Sequence, residues 1–128
     1  MSEKGTLLVS VTTLRGEFPV ENAQVTVFKG EYKKDNEIIR VKTDQSGRTP
    51  PIILDTENKD LSESSGNKTP YTTYNIYTTA PKLISQFNMN VPIFSGVTSL
   101  QSVDLMPIGA DGENTTPKVV QEAPDFNL

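Results

Sequence analysis

Residues 71–79 read Tyr71-Thr-Thr-Tyr-Asn-Ile-Tyr-Thr-Thr79. Every residue but Asn75 is aromatic or β-branched, the types that fit a pleated, half-buried surface. Successive side chains of a strand point to opposite faces. Tyr74, Ile76 and Thr78 therefore share one face, and Tyr71, Thr73, Asn75 and Tyr77 share the other. The stretch predicts a strand with Tyr74 turned to a core and Tyr71 and Tyr77 turned away from it.

The same period of two recurs on both sides, and no long segment keeps a helical period. Over Gly5–Thr13, Leu7, Val9 and Val11 alternate with Leu8, Ser10 and Thr12. Over 22–29, Ala23, Val25 and Val27 form a core face, while Gln24, Thr26 and Phe28 face out. Residues 37–43 predict a strand with Ile39 and Val41 inward. Residues 83–91 predict another, and 98–106 a further one with Val103 and Leu105 inward. A short strand over 49–54 carries Pro50 and Pro51, which cannot donate to a ladder, so it belongs at a sheet edge. Asp44-Gln-Ser-Gly47 is a turn: Asp caps it and Gly accepts a positive φ. Seven short strands separated by turn residues predict an all-β fold, a seven-stranded antiparallel β-sandwich.

Between these strands, the polar stretch 55–69 holds Leu61 as its one large apolar residue and predicts a surface loop. Past Pro107 the alternation stops. Gly109, Asp111-Gly112, Pro117 and Pro124 mark an extended C-terminal tail. The chain thus divides into a sandwich domain, 1–107, and a tail, 108–128. The tail carries Val119, Val120, Phe126 and Leu128, which are expected to cover a strand edge or dock on a neighbour by strand addition.

The 128 residues suffice for one domain with one modest core. Leu, Ile, Val and Phe make up about a quarter of the chain, above the roughly 20% below which chains stay disordered. There is no Cys and no His. That removes disulfides, thiolate and ordinary zinc sites, and the Ser-His-Asp triad. A formal net charge of −4 is the wrong sign for a nucleic-acid or anionic-membrane binder. No apolar run is long enough to span a membrane, and the first residues lack the basic and apolar regions of a signal peptide. Composition therefore predicts a chain that is not an enzyme, needs no cofactor or metal, binds no nucleic acid and inserts in no membrane. It also predicts synthesis in the cytoplasm without a signal peptide.

Several motifs resemble those of the carboxypeptidase regulatory-like, or transthyretin-like, β-sandwich, an Ig-like architecture. They are Gly5-Thr-Leu-Leu-Val-Ser-Val, then Phe18-Pro-Val-Glu-Asn-Ala-Gln-Val-Thr-Val, then Thr43-Asp-Gln-Ser-Gly-Arg-Thr. Two longer stretches, Pro70-Tyr-Thr-Thr-Tyr-Asn-Ile and residues 90–107, resemble the version found in clostridial spore cortex-lytic enzymes and related Firmicute spore or phage proteins. The resemblance covers about residues 5–107. It implies a sandwich acting as an accessory module beside separate catalytic and wall-binding domains, and it carries fold more firmly than role.

Particular chemistries are weighed on particular residues. Transthyretin-like hydrolases use His residues and a C-terminal Tyr-Arg-Gly-Ser; this chain has no His and ends Asp-Phe-Asn-Leu. A related family forms Lys–Asn isopeptide bonds with a Glu three residues before Ala-Pro. Here Ala80-Pro81 has Tyr77 at that position, with Lys4 and Asn90 as the nominal partners. Asp35, Asp44, Asp55, Glu57 and Asp60 offer oxygens for calcium, but no Asp-x-Asp-x-Asp-Gly loop organises them, so solvated turn carboxylates are expected. Lys29, Lys33, Lys34 and Tyr32 form a basic-aromatic turn suited to an anionic polymer, or simply to blunting an edge.

The candidate interaction residues are Tyr32, Tyr71, Tyr77, Phe28, Val119, Val120, Phe126 and Leu128. Phe28, Leu8 and Leu100 fall on outward faces by alternation, and outward apolar residues on a small sandwich point to subunit contacts. The expectation is a structural or interaction module, as a homo-oligomer or as a subunit of a phage, phage-tail-like or spore-surface particle. It would make contacts through the sandwich surface, the 55–69 loop and the tail. The alternative is a peptidoglycan- or carbohydrate-binding accessory that assists a separate cell-wall hydrolase.

Overall fold

Leu7, Val9 and Val11 are fully buried at every second position of the first strand, and the residues between them are half-buried. The computed structural model describes residues 3–56, 71–109 and 116–122. Nine strands follow in chain order: β1 Glu3–Thr13, β2 Phe18–Pro19, β3 Gln24–Phe28, β4 Glu37–Lys42, β5 Ile52–Thr56, β6 Tyr71–Thr79, β7 Gln86–Phe94, β8 Thr98–Leu105 and β9 Lys118–Gln121.

They form two sheets. In the first, β1 is central; β5 and β2 pair antiparallel with successive parts of it, and β8 runs parallel to it in register from Thr6↔Thr98 to Thr13↔Leu105. The second has the order β4-β3-β6-β7-β9. The inner faces meet in a core of Leu7, Val9, Val11, Ala23, Val25, Val27, Ile52, Leu54, Tyr74, Ile76, Val91, Ile93, Val103 and Leu105. Each fully buried Val, Leu or Ile stabilises the fold by about 1.5–3 kcal/mol against leaving it exposed. The arrangement is the predicted all-β sandwich. β5, which follows Pro50 and Pro51, lies at an edge.

Three expectations are corrected. Among the described residues the strands number nine rather than seven, because the two-residue β2 and the tail strand β9 carry too short a pattern to read. The sandwich is not purely antiparallel: β1/β8 and β7/β9 are parallel. Alternation fixes which face a residue takes, not the direction of the neighbouring strand. Ile39 is 38% exposed rather than core: β4 is an edge strand of the wider sheet, with no strand beyond it among the described residues.

The expected loop 55–69 starts later than predicted, since Asp55 and Thr56 belong to β5; residues 57–69 lie outside the described residues. Within the expected tail, residues 118–121 pair with β7 as Gln86↔Lys118 to Met89↔Gln121.

Two turns set the strand ends. At 44–47, the Asp44 carboxylate accepts from Ser46 N (2.8 Å) and Arg48 N (3.0 Å), and Gly47 takes φ 77. Gly47 O in turn accepts from Val11 N at 2.7 Å, tying the turn to β1. At 14–16, Leu14, Arg15 and Gly16 all have positive φ. Asp104 on β8 holds this run, accepting from Thr12 Oγ1 (2.9 Å), Arg15 N (3.2 Å) and Gly16 N (3.0 Å).

Candidate functional site

The outer face of the five-stranded sheet carries four aromatic rings side by side. Alternation places Phe28 on β3, Tyr77 on β6 and Phe87 on β7 away from the core, and the 30–36 turn lays Tyr32 over them. Tyr77 and Phe87 are directly paired and stack at 4.3 Å between centroids. Tyr32 lies 4.7 Å from Tyr77, 5.3 Å from Phe87 and 5.2 Å from Phe28. Phe28 also meets Phe87 edge-on at 6.2 Å. Pairs of this kind are worth about 0.5–1.5 kcal/mol each beyond their area burial. The cluster is thus a rigid apolar surface, with Tyr32 50% exposed at its centre. Val119 on β9 sits opposite Phe87 and is 60% exposed, which extends the apolar surface to the sheet edge.

The structure brings together Phe28, Tyr32, Tyr77 and Val119 and separates the other candidates. Tyr71 is six residues from Tyr77 on the same face, about 20 Å along the strand, where its ring meets Phe94 at 5.6 Å. Val120 takes the other face of β9, opposite buried Asn88, and is half-buried. Phe126 and Leu128 lie outside the described residues. Phe28 faces out as predicted yet is fully buried, because Tyr32 and Phe87 cover it. Leu100 is 78% exposed, and Leu8, its direct partner, is half-buried. Sequence reasoning missed Phe87. Its signal was available, since it is the one aromatic of the predicted strand 83–91, but its face depends on the pairing with Tyr77.

The basic-aromatic turn is divided. Lys33, Lys34 and Tyr32, with Glu37 and Arg40, line an open hollow of about 650 Å³ beside the aromatic cluster. Arg40 also donates to Glu37 at 2.7 Å. Lys29 points elsewhere, its ammonium 4.9 Å from the Tyr74 ring centre.

The remaining chemistries find no convergence. Lys4 pairs with Asp55 at the surface, while Asn90 donates to Gln121 at 2.9 Å, so the nominal isopeptide partners are engaged elsewhere. Asp44 is used as a turn cap. Glu57 and Asp60 lie outside the described residues. Among the described residues no group of three or more acidic residues could hold a metal ion, and no helix is long and apolar enough to cross a membrane. Tyr74 has its ionisation pushed above the usual value near 10 by burial and by the Asp55 charge. Its hydroxyl donates to Asp55 O at 2.6 Å.

No family model and no curated protein matches the chain. Among solved structures it is similar to a DUF3823 family protein from Parabacteroides merdae, with TM-score 0.50 and 14% identity over 84% of this chain and 48% of that one. It is similar to GBS52, the minor pilin of Streptococcus agalactiae, with TM-score 0.53 and 12% identity over 86% of this chain and 47% of that one. It is also similar to catechol 1,2-dioxygenase from Acinetobacter sp. ADP1, with TM-score 0.55 and 11% identity over 93% of this chain and 59% of that one. The chain spans about half the length of these proteins. At such identities the likeness shows the sandwich fold alone.

The last likeness corrects one expectation. The statement that the chain is not an enzyme rested on the residue types it lacks, and the same sandwich architecture serves a dioxygenase. Fold and composition together do not exclude catalysis. An 11% likeness equally gives this chain no active site.

Proposed function

We propose that the chain is an interaction module that docks on protein partners through the outer face of its five-stranded sheet, as a subunit of a larger assembly. The observation that carries this reading is the ring cluster of Phe28, Tyr32, Tyr77 and Phe87, half-open to solvent at Tyr32 and continued by exposed Val119. Aromatic anchors on a rigid support are the residues that dominate protein interfaces. The sandwich shared with a minor pilin supports an assembly role. A phage, tail-like or spore-surface particle is the assembly that the motifs of 70–76 and 90–107 suggest. Tyr32→Ser, followed by light scattering and cross-linking on the purified chain and on extracts holding the native assembly, tests the reading. Lost association with the fold retained supports it; unchanged association refutes it.

A second reading is favoured by the hollow beside Tyr32. Lys33 and Lys34 leave it a net cationic lining beside the Arg40–Glu37 ion pair, which suits an anionic cell-wall polymer next to an aromatic wall. Sedimentation with purified cell walls separates the two. Retention that depends on Lys33, Lys34 and Tyr32 and weakens with salt supports the polymer; no retention supports the protein partner.

A further inference from the structure

Strand β8 pairs with β1 on one side, and among the described residues no strand lies on its other side. Thr6 N donates to Val97 O at 3.0 Å, and Thr13 Oγ1 donates to Leu105 O at 2.6 Å. Odd-numbered residues of β8 therefore turn their backbone groups to β1, and the N–H and C=O of Thr98, Leu100, Ser102 and Asp104 point to the open side. Thr98, Leu100 and Ser102 are exposed. The other long edges are blunted in the ways natural sheets use. β4 carries Glu37, Arg40 and Lys42, β5 follows Pro50 and Pro51, and β9 is only four residues long and opens on Lys118. β8 has eight residues, no proline, no lysine and an unbroken register with β1. Its one charge, Asp104, is drawn back over its own chain by Thr12, Arg15 and Gly16. Gln101 Nε2 donates to Ser102 O at 3.0 Å, an exposed local bond that another donor can replace.

We infer that this edge pairs antiparallel with β8 of a second copy, joining the two four-stranded sheets into one. Self-complementarity argues for a second copy as the occupant. A two-fold axis must set residues of the same face opposite each other, so it passes through a single residue of β8. An axis through Leu100 pairs only residues 98–102. An axis through Ser102 sets Leu100 against the second copy's Asp104. The axis through Gln101 pairs residues 98–104, with Thr98 opposite Asp104 and Leu100 opposite Ser102. It brings no like charges together, and every outward N–H and C=O of that stretch meets its counterpart. Leu100, 78% exposed, then lies diagonally across from its own copy, within side-chain reach. Leu8, its direct partner on β1, extends the apolar row on each side. An edge of this length makes a small interface, so the dimer is expected to form and dissociate with concentration. The contact lies on the sheet that does not carry Tyr32, and it gives the chain a second docking surface independent of the aromatic face.

Sedimentation velocity and amide hydrogen exchange on the full chain, from micromolar to millimolar concentration, test this together. A dimer is expected to appear on concentration. In step with it, exchange at the Leu100 and Ser102 amides is expected to slow at least about tenfold, while the Ser99, Gln101 and Val103 amides, bonded to β1, stay protected throughout. Leu100→Lys, at a site too exposed to threaten the fold, sets two cations beside the axis and is expected to raise the dimer Kd at least about tenfold. Ser102→Pro removes an outward N–H and no bond of the β1 ladder, and is expected to do the same. The melting temperature of the dilute monomer should hold in Leu100→Lys. A chain that stays monomeric at millimolar concentration would overturn the inference. Leu100 and Ser102 amides already protected in the dilute monomer would overturn it too, since the chain would then cover its own edge. So would a dimer that Leu100→Lys and Ser102→Pro both leave intact. Neither variant touches Tyr32, so failure here leaves the aromatic-face reading standing.

Discussion

The Tyr77 and Phe87 rings stack 4.3 Å apart, 28° from parallel, at directly paired positions of β6 and β7. This pair is the floor on which Tyr32 rests. It follows that the floor and the exposed ring above it have different jobs. Phe87→Ala removes ring contacts with Phe28, Tyr32 and Tyr77 and is expected to cost about 2–3 kcal/mol of stability. Tyr32→Ala also removes three ring contacts, but from a ring that is half exposed on a turn, and is expected to cost less, about 1–2 kcal/mol, while weakening partner association much more. Chemical denaturation beside an association assay checks both. Equal stability losses would remove the distinction between floor and contact.

Gly47 is required twice over. Its φ of 77 disfavours any side chain, and an added Cβ would lie under 3.0 Å from Val11 O, backbone that cannot swing aside. Gly16 has a similar φ of 84 but nothing within 4 Å. Gly16→Ala is therefore expected to cost about 1–2 kcal/mol, from the conformation alone. Gly47→Ala is expected to cost at least about 3 kcal/mol. Thermal or urea melts of the two variants compare them directly, and equal shifts would show that the contact with Val11 is unimportant.

Much of this fold is legible residue by residue, and the gaps have a common cause. The faces of β1, β3 and β6 follow from alternation because both faces carry clear types: Leu7, Val9 and Val11 buried, Ser10 and Thr12 not. What alternation cannot supply is who sits next to whom. β8 pairs with β1 across some ninety positions of chain. Ile39 reads as core and is exposed on an edge strand. Three of the four rings of the aromatic cluster, Phe28, Tyr32 and Tyr77, are legible in the sequence as separate candidate contact residues. Phe87 joins them only through the β6/β7 register, and Tyr71 leaves them for Phe94 because six residues carry it to the strand's far end.

Asp104 is invisible in sequence as anything but a polar strand residue, yet three donors converge on its carboxylate. They hold the positive-φ run of Leu14, Arg15 and Gly16. Asp104→Ala is expected to cost about 1–2 kcal/mol, because the Thr12 bond is partly buried while water can replace the carboxylate at the exposed Arg15 and Gly16 amides. Asp104→Asn keeps one acceptor oxygen and is expected to recover about half. Amide hydrogen exchange at Arg15 and Gly16 is the local readout. Exchange rates unchanged in Asp104→Ala would show that the turn holds itself.

Tyr74 ties stability to alkaline pH. Its ring is 5% exposed, its hydroxyl donates to Asp55 O at 2.6 Å, and burial, with the Asp55 charge, raises its ionisation above the usual value near 10. The folded state therefore binds this proton more tightly than the unfolded chain does. The resulting stability is fully present below pH 10, where both states are protonated, and is lost as pH climbs from there through the higher folded value. Tyr74→Phe deletes the titrating group and the hydrogen bond together. At neutral pH the variant is expected to be about 1 kcal/mol less stable. Above pH 10 the gap should narrow and then close, because the wild-type chain pays to ionise a buried phenol and the variant does not. Lysine deprotonation affects both proteins alike, so the difference between their urea-unfolding free energies at pH 7, 9, 10 and 11 isolates the tyrosine. A gap that stays constant, or widens, through pH 11 would mean that Tyr74 ionises as freely in the folded chain as in the unfolded one.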